Sequence, residues 1–291
     1  MISALVALGV AVGVIAPPSN PSVAARPSAA ASDPGYHFAR SLARAGPRPA
    51  GGAAERRAHA RVENRFRAAG LRIGHDRFRV PGRGRSRNVI GILDTPAACL
   101  VVLVAHTDSV PPAPGADDNA SGVGTLVALA PRLQAIQPTC DVWLIATGAE
   151  ERPYTGAADH LGALAAVPRV KRRRADLRFV LSLDEVGRGR GFHLRSPVAR
   201  PRRGVEGAVV RAGRGAVRWV RDSGSGNSDH REFALAGLPA AKLGVPDDPC
   251  RHTSCDRAGR LQPRTFPLVR GVVERLLSQS ARSAVGSGRL R

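Results

Sequence analysis

The chain has 291 residues, 43% of them apolar and 4% aromatic, enough for one large α/β core built from Val, Leu, Ala and Ile rather than from rings. Its formal charge of +21 is almost all arginine, because Lys171 and Lys242 are the only lysines. The arginines are scattered, with one short basic run at 171–174 and no interleaved aromatics. That argues against dedicated nucleic-acid binding and leaves a general attraction to anionic surfaces, such as a cell-envelope polymer.

Residues 2–16 form an apolar run shorter than the roughly 20 residues of a comfortable membrane span. A Pro/Ser/Ala tract follows and contains a small-residue Ala29-Ala-Ala31 site. The expectation is an exported or envelope-associated protein, with residues 1–31 as signal peptide or N-terminal anchor and 32–291 as one domain. Residues 53–69 have helical spacing, and Gly70 is placed to stop them. Strands are expected at 71–80 and 86–93 around the Pro81-Gly-Arg-Gly84 turn, then a buried strand at 100–105. A helix over 119–137 closes at Pro138, and buried strands follow at 141–147 and 177–183, with a helix over 154–167 between them. Beyond these come a helix at 204–212, a strand at 216–221, a short helix at 233–236, a strand at 240–243 and an amphipathic helix over 263–278. Strands alternating with helices predict a sheet with parallel central strands.

Four cysteines in an exported chain point to disulfides. Of the three possible pairings, Cys99 with Cys140 and Cys250 with Cys255 are expected. Cys99 and Cys140 each precede a buried strand, and the other two enclose a tight loop. No Cys-x-x-Cys spacing supports a zinc-thiolate site.

Three buried strands end in acids or imidazole: His106 and Asp108, Glu150 and Glu151, and Asp184. Parallel strands present their carboxyl ends on one edge, so these groups should converge there, joined by Asp118 and His252. Taken singly, each has a plain alternative. Asp117 and Asp118 could cap the next helix, and Glu150 and Glu151 could be solvated acids at a helix start. Together they supply enough His and carboxylate ligands for two metal ions.

In these motifs the chain resembles the zinc aminopeptidases of peptidase family M28. The motifs are His106-Thr-Asp108, Gly115-Ala-Asp-Asp-Asn-Ala-Ser-Gly122, Glu150-Glu151, Leu183-Asp-Glu-Val-Gly187 and Cys250-Arg-His-Thr-Ser-Cys255, and they occur in family order. The resemblance implies a single three-layer α/β/α domain with a mixed, centrally parallel sheet. It also implies two Zn2+ ions bridged by Asp118, with His106 and Asp184 completing one site and Glu151 and His252 the other. Glu150 would be the general base, Asp108 would orient His106 through its other ring nitrogen, and Asp118-Asn119 would be a candidate cis peptide. The expected substrates are peptide or protein N-termini.

Arg251 departs from relatives that carry an aromatic residue just before the late histidine, and it is a candidate substrate-binding residue. Ser228-Asp-His230 matches a family stretch, with His230 read as structural. Glu185, next along the strand from Asp184, is expected to point away from it. His37, His59, His75, His160 and His193 have no comparable setting. Two other functions compete with the peptidase. One is a glutaminyl cyclase-like enzyme with a single zinc on the same fold, and the other is a non-catalytic envelope-binding module. The pocket walls are assigned to loops at 188–203 and 224–227, and they leave the preferred N-terminal residue open.

Overall fold

The computed structural model describes residues 33–173 and 175–285, so the expected leader at 1–31 lies outside the described residues. Its eight strands are β1 (Arg72–Val80), β2 (Gly84–Leu93), β3 (Leu100–His106), β4 (Asp141–Thr147), β5 (Leu177–Leu183), β6 (Phe192–Ser196), β7 (Val217–Arg221) and β8 (Ala240–Gly244). They form one sheet in the order β1-β2-β4-β3-β5-β8-β6-β7. The central strands β4, β3, β5 and β8 run parallel, and antiparallel pairings lie toward both sides. Nine helices flank the sheet: α1 (Pro34–Arg44), α2 (Ala53–Ala68), α3 (Gly122–Leu129), α4 (Leu133–Ile136), α5 (Arg152–Thr155), α6 (Leu161–Lys171), α7 (Glu206–Gly213), α8 (His230–Leu235) and α9 (Thr265–Val285) among the described residues.

Alternation along β3 explains the layers. Val101, Leu103 and Ala105 pack with Leu42, Leu126 and Val273 of α1, α3 and α9. Leu100, Val102 and Val104 face the opposite way, toward Ala166, Val170 and Phe233 of α6 and α8. A strand covered on both faces must be apolar at every position, which is why 100–105 is one unbroken run. Each fully buried Val or Leu there stabilises the fold by roughly 1.5–3 kcal/mol. The expected three-layer α/β/α domain with a centrally parallel sheet is the observed one.

Register also explains the first disulfide. Leu100 pairs with Asp141, so the residues just before them, Cys99 and Cys140, lie side by side and are bonded; Cys250 and Cys255 form the second bridge.

Four elements differ from the sequence reading. Helix α1 was not anticipated, although Asp33 caps it by accepting from the Gly35 and Tyr36 amides and Pro34 opens its first turn. The single helix expected over 119–137 is interrupted twice. Asp118 and Asn119 have non-helical dihedrals, and Pro131 sits where α3 gives way to the short α4. The helix expected over 154–167 is split into α5 and α6, because Gly156 ends α5 at φ +69°. Finally, β6 lies within the stretch read as loop; its five residues alternate buried and half-buried positions, too short a pattern to stand out.

His59 on α2 is fully buried against the Thr147 carbonyl at the end of β4. Burial lowers its pKa from 6.5 to about 4. Above pH 6.5 neither the folded nor the unfolded chain protonates it. Between 6.5 and 4 only the unfolded chain does, so stability is lost as pH falls through that window. The expected loss by pH 4 is about 3 kcal/mol. It should appear as a pH-dependent difference between urea melts of the wild type and His59→Gln, and parallel melts at all pH values would disprove it.

Candidate metal centre and active site

Three strand ends and two loops build the site. β3 ends in His106, whose Nε2 lies 3.1 Å from Asp118 Oδ1 and 3.5 Å from Asp184 Oδ1. Asp184 follows β5 directly, and its other oxygen is 2.8 Å from Lys242 Nζ on β8. Glu150 and Glu151 follow β4. Glu151 Oε2 is 2.9 Å from His252 Nε2, and Asp118 Oδ2 is 3.3 Å from the same nitrogen. Potential ligand atoms of His106, Asp118 and Asp184 therefore cluster within 4.8 Å of one another, and so do those of Asp118, Glu151 and His252. Asp118 belongs to both groups.

The loop carrying Asp118 is pinned from several sides. The Asp118-Asn119 peptide is cis. Asp256 accepts from the Asp117 and Asp118 amides at 2.8 and 3.0 Å. Asn119 Nδ2 donates to the Leu183 carbonyl, and its Oδ1 accepts from the Gly122 amide. Gly122 has to be glycine, since a Cβ there would lie 2.2 Å from the Leu183 carbonyl oxygen. Arg48 is almost wholly buried and donates to the carbonyls of Thr107, Pro114 and Gly115, tying the strand end to the loop. Burial lowers its pKa to about 10, so it stays cationic at neutral pH. Asp256 and Arg48 were not singled out in the sequence, because an isolated Asp or Arg carries no local pattern that marks such a contact.

Asp108 does more than face an imidazole. His106 Nδ1 is 3.3 Å from the Asp108 carbonyl and 3.8 Å from its carboxylate. That carboxylate accepts from the Glu150 and Glu151 amides, both at 3.1 Å, so it ties the His106 strand to the Glu-Glu turn. Glu185 departs from expectation. Left-handed backbone at φ +59° turns its buried side chain back, and its Oε2 accepts from the same Lys242 that holds Asp184. Arg251 Nε is 3.2 Å from Asp118 Oδ2. His230 pairs with Asp222 at 2.8 Å and stays outside both ligand groups.

His160 is the histidine the sequence reading passed over. Buried behind Glu150, it places Nε2 3.4 Å from Glu150 Oε1, while its Nδ1 lies 2.8 Å from Glu232 Oε1. Eight residues of irregular chain and short helix separate it from the Glu-Glu pair, so spacing alone carried no signal.

The electrostatics favour added positive charge. Burial alone would lower the His106 pKa, but the surrounding carboxylates, Glu150 first, raise it well above 6.5. Contacts with Asp118 and then Glu151 raise His252 to about 9. Burial pushes Glu150 well above the usual carboxylate range and Glu151 up to about 7. Asp118 is held low, because the two imidazoles outweigh its burial. Glu151 Oε1 and Asp184 Oδ1 are buried without hydrogen-bond partners, an arrangement costly for oxygens unless each lies against a cation. Mixed His and carboxylate oxygen donors in two groups sharing one carboxylate suit zinc.

A mixed sheet carrying such a cluster at the carboxyl edge of its parallel strands defines an α/β protein with residues able to hold metal in a crevice. The family model described as Peptidase family M28 matches residues 88–276, and the chain belongs to that family. The aminopeptidase YwaD of Bacillus subtilis (strain 168) is 28% identical over 184 residues, which cover 59% of this chain and 39% of that protein. The chain spans about two fifths of the length of the curated relatives it matches. Among solved structures, BSAP, a zinc aminopeptidase from Bacillus subtilis, superposes with a TM-score of 0.75 at 17% identity, covering 86% of this chain and 95% of that one. A glutaminyl cyclase from Tannerella forsythia superposes at 0.73 with 22% identity, covering 85% and 98%. At such identities the structural likenesses establish the shared fold.

Proposed function

We propose that this protein is an exported metalloaminopeptidase that removes N-terminal residues from peptides with two zinc ions. The observation that carries the reading is Asp118's membership of both ligand groups, which suits a bridging carboxylate. His106 and Asp184 would hold one ion, and Glu151 and His252 the other. Family membership and the aminopeptidase among the curated relatives support it. Among the described residues no helix is long and apolar enough to cross a membrane. The two disulfides suit an oxidising compartment.

Bound there, the zinc pair would supply Lewis acidity toward the scissile carbonyl and the attacking water. Glu150, buried and with an oxygen close to His106 and Glu151 but assigned to neither ion, takes a proton from that water as the C–O bond forms. It delivers the proton to the leaving amine as the C–N bond breaks. Asp108 keeps Glu150 and Glu151 in register with His106 through their amides. Arg251 stands beside Asp118, where it can meet a developing oxyanion. The basic surface holds the enzyme near anionic envelope polymer, an attraction that rising salt should abolish.

The test is elemental analysis on protein purified without chelator, beside hydrolysis of amino-acid anilides. Two zinc per chain and chelator-sensitive hydrolysis are expected. A ratio near one, with cyclisation of N-terminal glutamine, would favour the cyclase instead, and polymer binding without any turnover would favour a binding module. His160 is a positioning residue in this scheme. His160→Ala should lower kcat by about tenfold through misplacement of Glu150, leaving KM and zinc content unchanged, with partial recovery in His160→Gln. An equal loss in both variants accompanied by a lower melting temperature would reduce its role to packing.

A further inference from the structure

Beside the catalytic cleft lies a larger cavity of about 660 Å³, in the range that holds a side chain and more. The two share Arg152, Asn227 and Arg251 as a common rim. No aromatic ring is among the cavity's described lining residues, and Val245, Pro246 and Pro249 are its larger apolar members. A pocket of this kind is a poor host for a leucine or phenylalanine side chain.

The charges in its wall can be followed one by one. Arg195 of β6 and Lys242 of β8 are directly paired across the antiparallel ladder. Like charges so placed repel unless an anion lies between them. Lys242 has its anions, Asp184 at 2.8 Å and Glu185 at 3.1 Å. Arg195 has none among the described residues; its Nη2 donates to the Pro246 carbonyl and lies 3.4 Å from His193 Nδ1. Arg152, at the rim, donates to the Ala158 carbonyl and likewise has no carboxylate partner among the described residues. The wall's acids are mostly engaged: Asp222 with His230, and Asp248 with Arg188 and Arg260. Asp247 stays exposed at the mouth. What the cavity offers a ligand is therefore guanidinium, whose planar fork matches a carboxylate.

We infer that this cavity is the subsite for the substrate's N-terminal side chain and that it selects an acidic one, glutamate or aspartate, with Arg195 as the specificity-determining residue. The inference rests on the aminopeptidase reading for its placement beside the scissile bond. Lys242 and Glu185 connect the two functions, because the lysine that steadies Asp184 also lines the cavity.

The test combines binding with turnover on the zinc-loaded full chain. Calorimetric titration with L-glutamate and L-leucine, and hydrolysis of the glutamyl and leucyl anilides, are compared in wild type and Arg195→Gln. Glutamate is expected to bind at least tenfold more tightly than leucine, and the glutamyl anilide to have the higher kcat/KM. Arg195→Gln should erase both preferences while leaving the melting temperature in place. Leucine binding as tightly as glutamate, or an unchanged glutamate-to-leucine ratio in the variant, would overturn the assignment. A glutamate preference in binding with neither anilide cleaved would support the cavity's selectivity and overturn the peptidase reading. Rapid cleavage of the leucyl anilide with no glutamate preference would do the reverse.

Discussion

Glu150→Gln is expected to lower kcat by roughly 10²–10⁴-fold while the zinc content of the protein stays unchanged. The substitution preserves size and removes only the capacity to take and return a proton. Glu150 is buried, 3% exposed, at the turn after β4. Its backbone amide is held by Asp108 and its carboxylate faces His160, so the glutamine should occupy the same place. The measurement is steady-state kinetics with zinc analysis on the same preparation. Glu150 also offers an oxygen close to His106 and Glu151. If the variant lost a zinc ion together with activity, Glu150 would be a ligand and the proton would have to move by another route.

Asp118→Ala should remove metal binding itself. Each ligand group would keep two protein donors, so zinc content is expected to fall from two per chain to below one, with activity at background. A second readout needs no turnover. Contact with Asp118 is the largest influence raising His252 to about 9, so in metal-free protein the His252 imidazole should titrate lower in the variant when followed by NMR. Retention of two zinc ions would refute the bridging role. A comparison with Asp256→Ala separates the carboxylate from its scaffold. That variant leaves Asp118 in place but frees the amides of Asp117 and Asp118, and weaker zinc binding by about 10–100-fold is expected.

Much of the convergence at this sheet edge was legible in the sequence, because polar groups at the ends of parallel buried strands reveal themselves twice. The apolar run marks the strand, and the polar residue that ends it marks the edge. His106, Glu151 and Asp184 were readable in that way. The position of His252 depended on resemblance, as no strand delivers it. What remained hidden depends on long-range contact: Arg48 reaching three carbonyls of a loop some sixty residues away, Asp256 bracing the backbone at Asp118, and His160 brought behind Glu150 by a break at Gly156. Glu185 was misjudged because simple alternation holds only while the strand continues, and its left-handed backbone ends that rule one residue after Asp184. The cavity wall was readable only in part: Arg195, Gly226 and Asn227 fall within the stretches 188–203 and 224–227 assigned to it, but their arrangement was not. Arg195 sits on β6, a strand of five residues whose pairing with β8 is invisible without the fold.

The outermost strands give the arginine-rich composition a further role. β1 and β7 close the two sides of the sheet, and each carries exposed arginines, Arg77 and Arg79 on one and Arg218 and Arg221 on the other. An open edge is a template for a second chain, and two copies meeting along either strand would bring guanidinium groups face to face. Such positive charge would hold like molecules apart, and concentrated salt, by screening it, should be the condition under which this protein begins to self-associate.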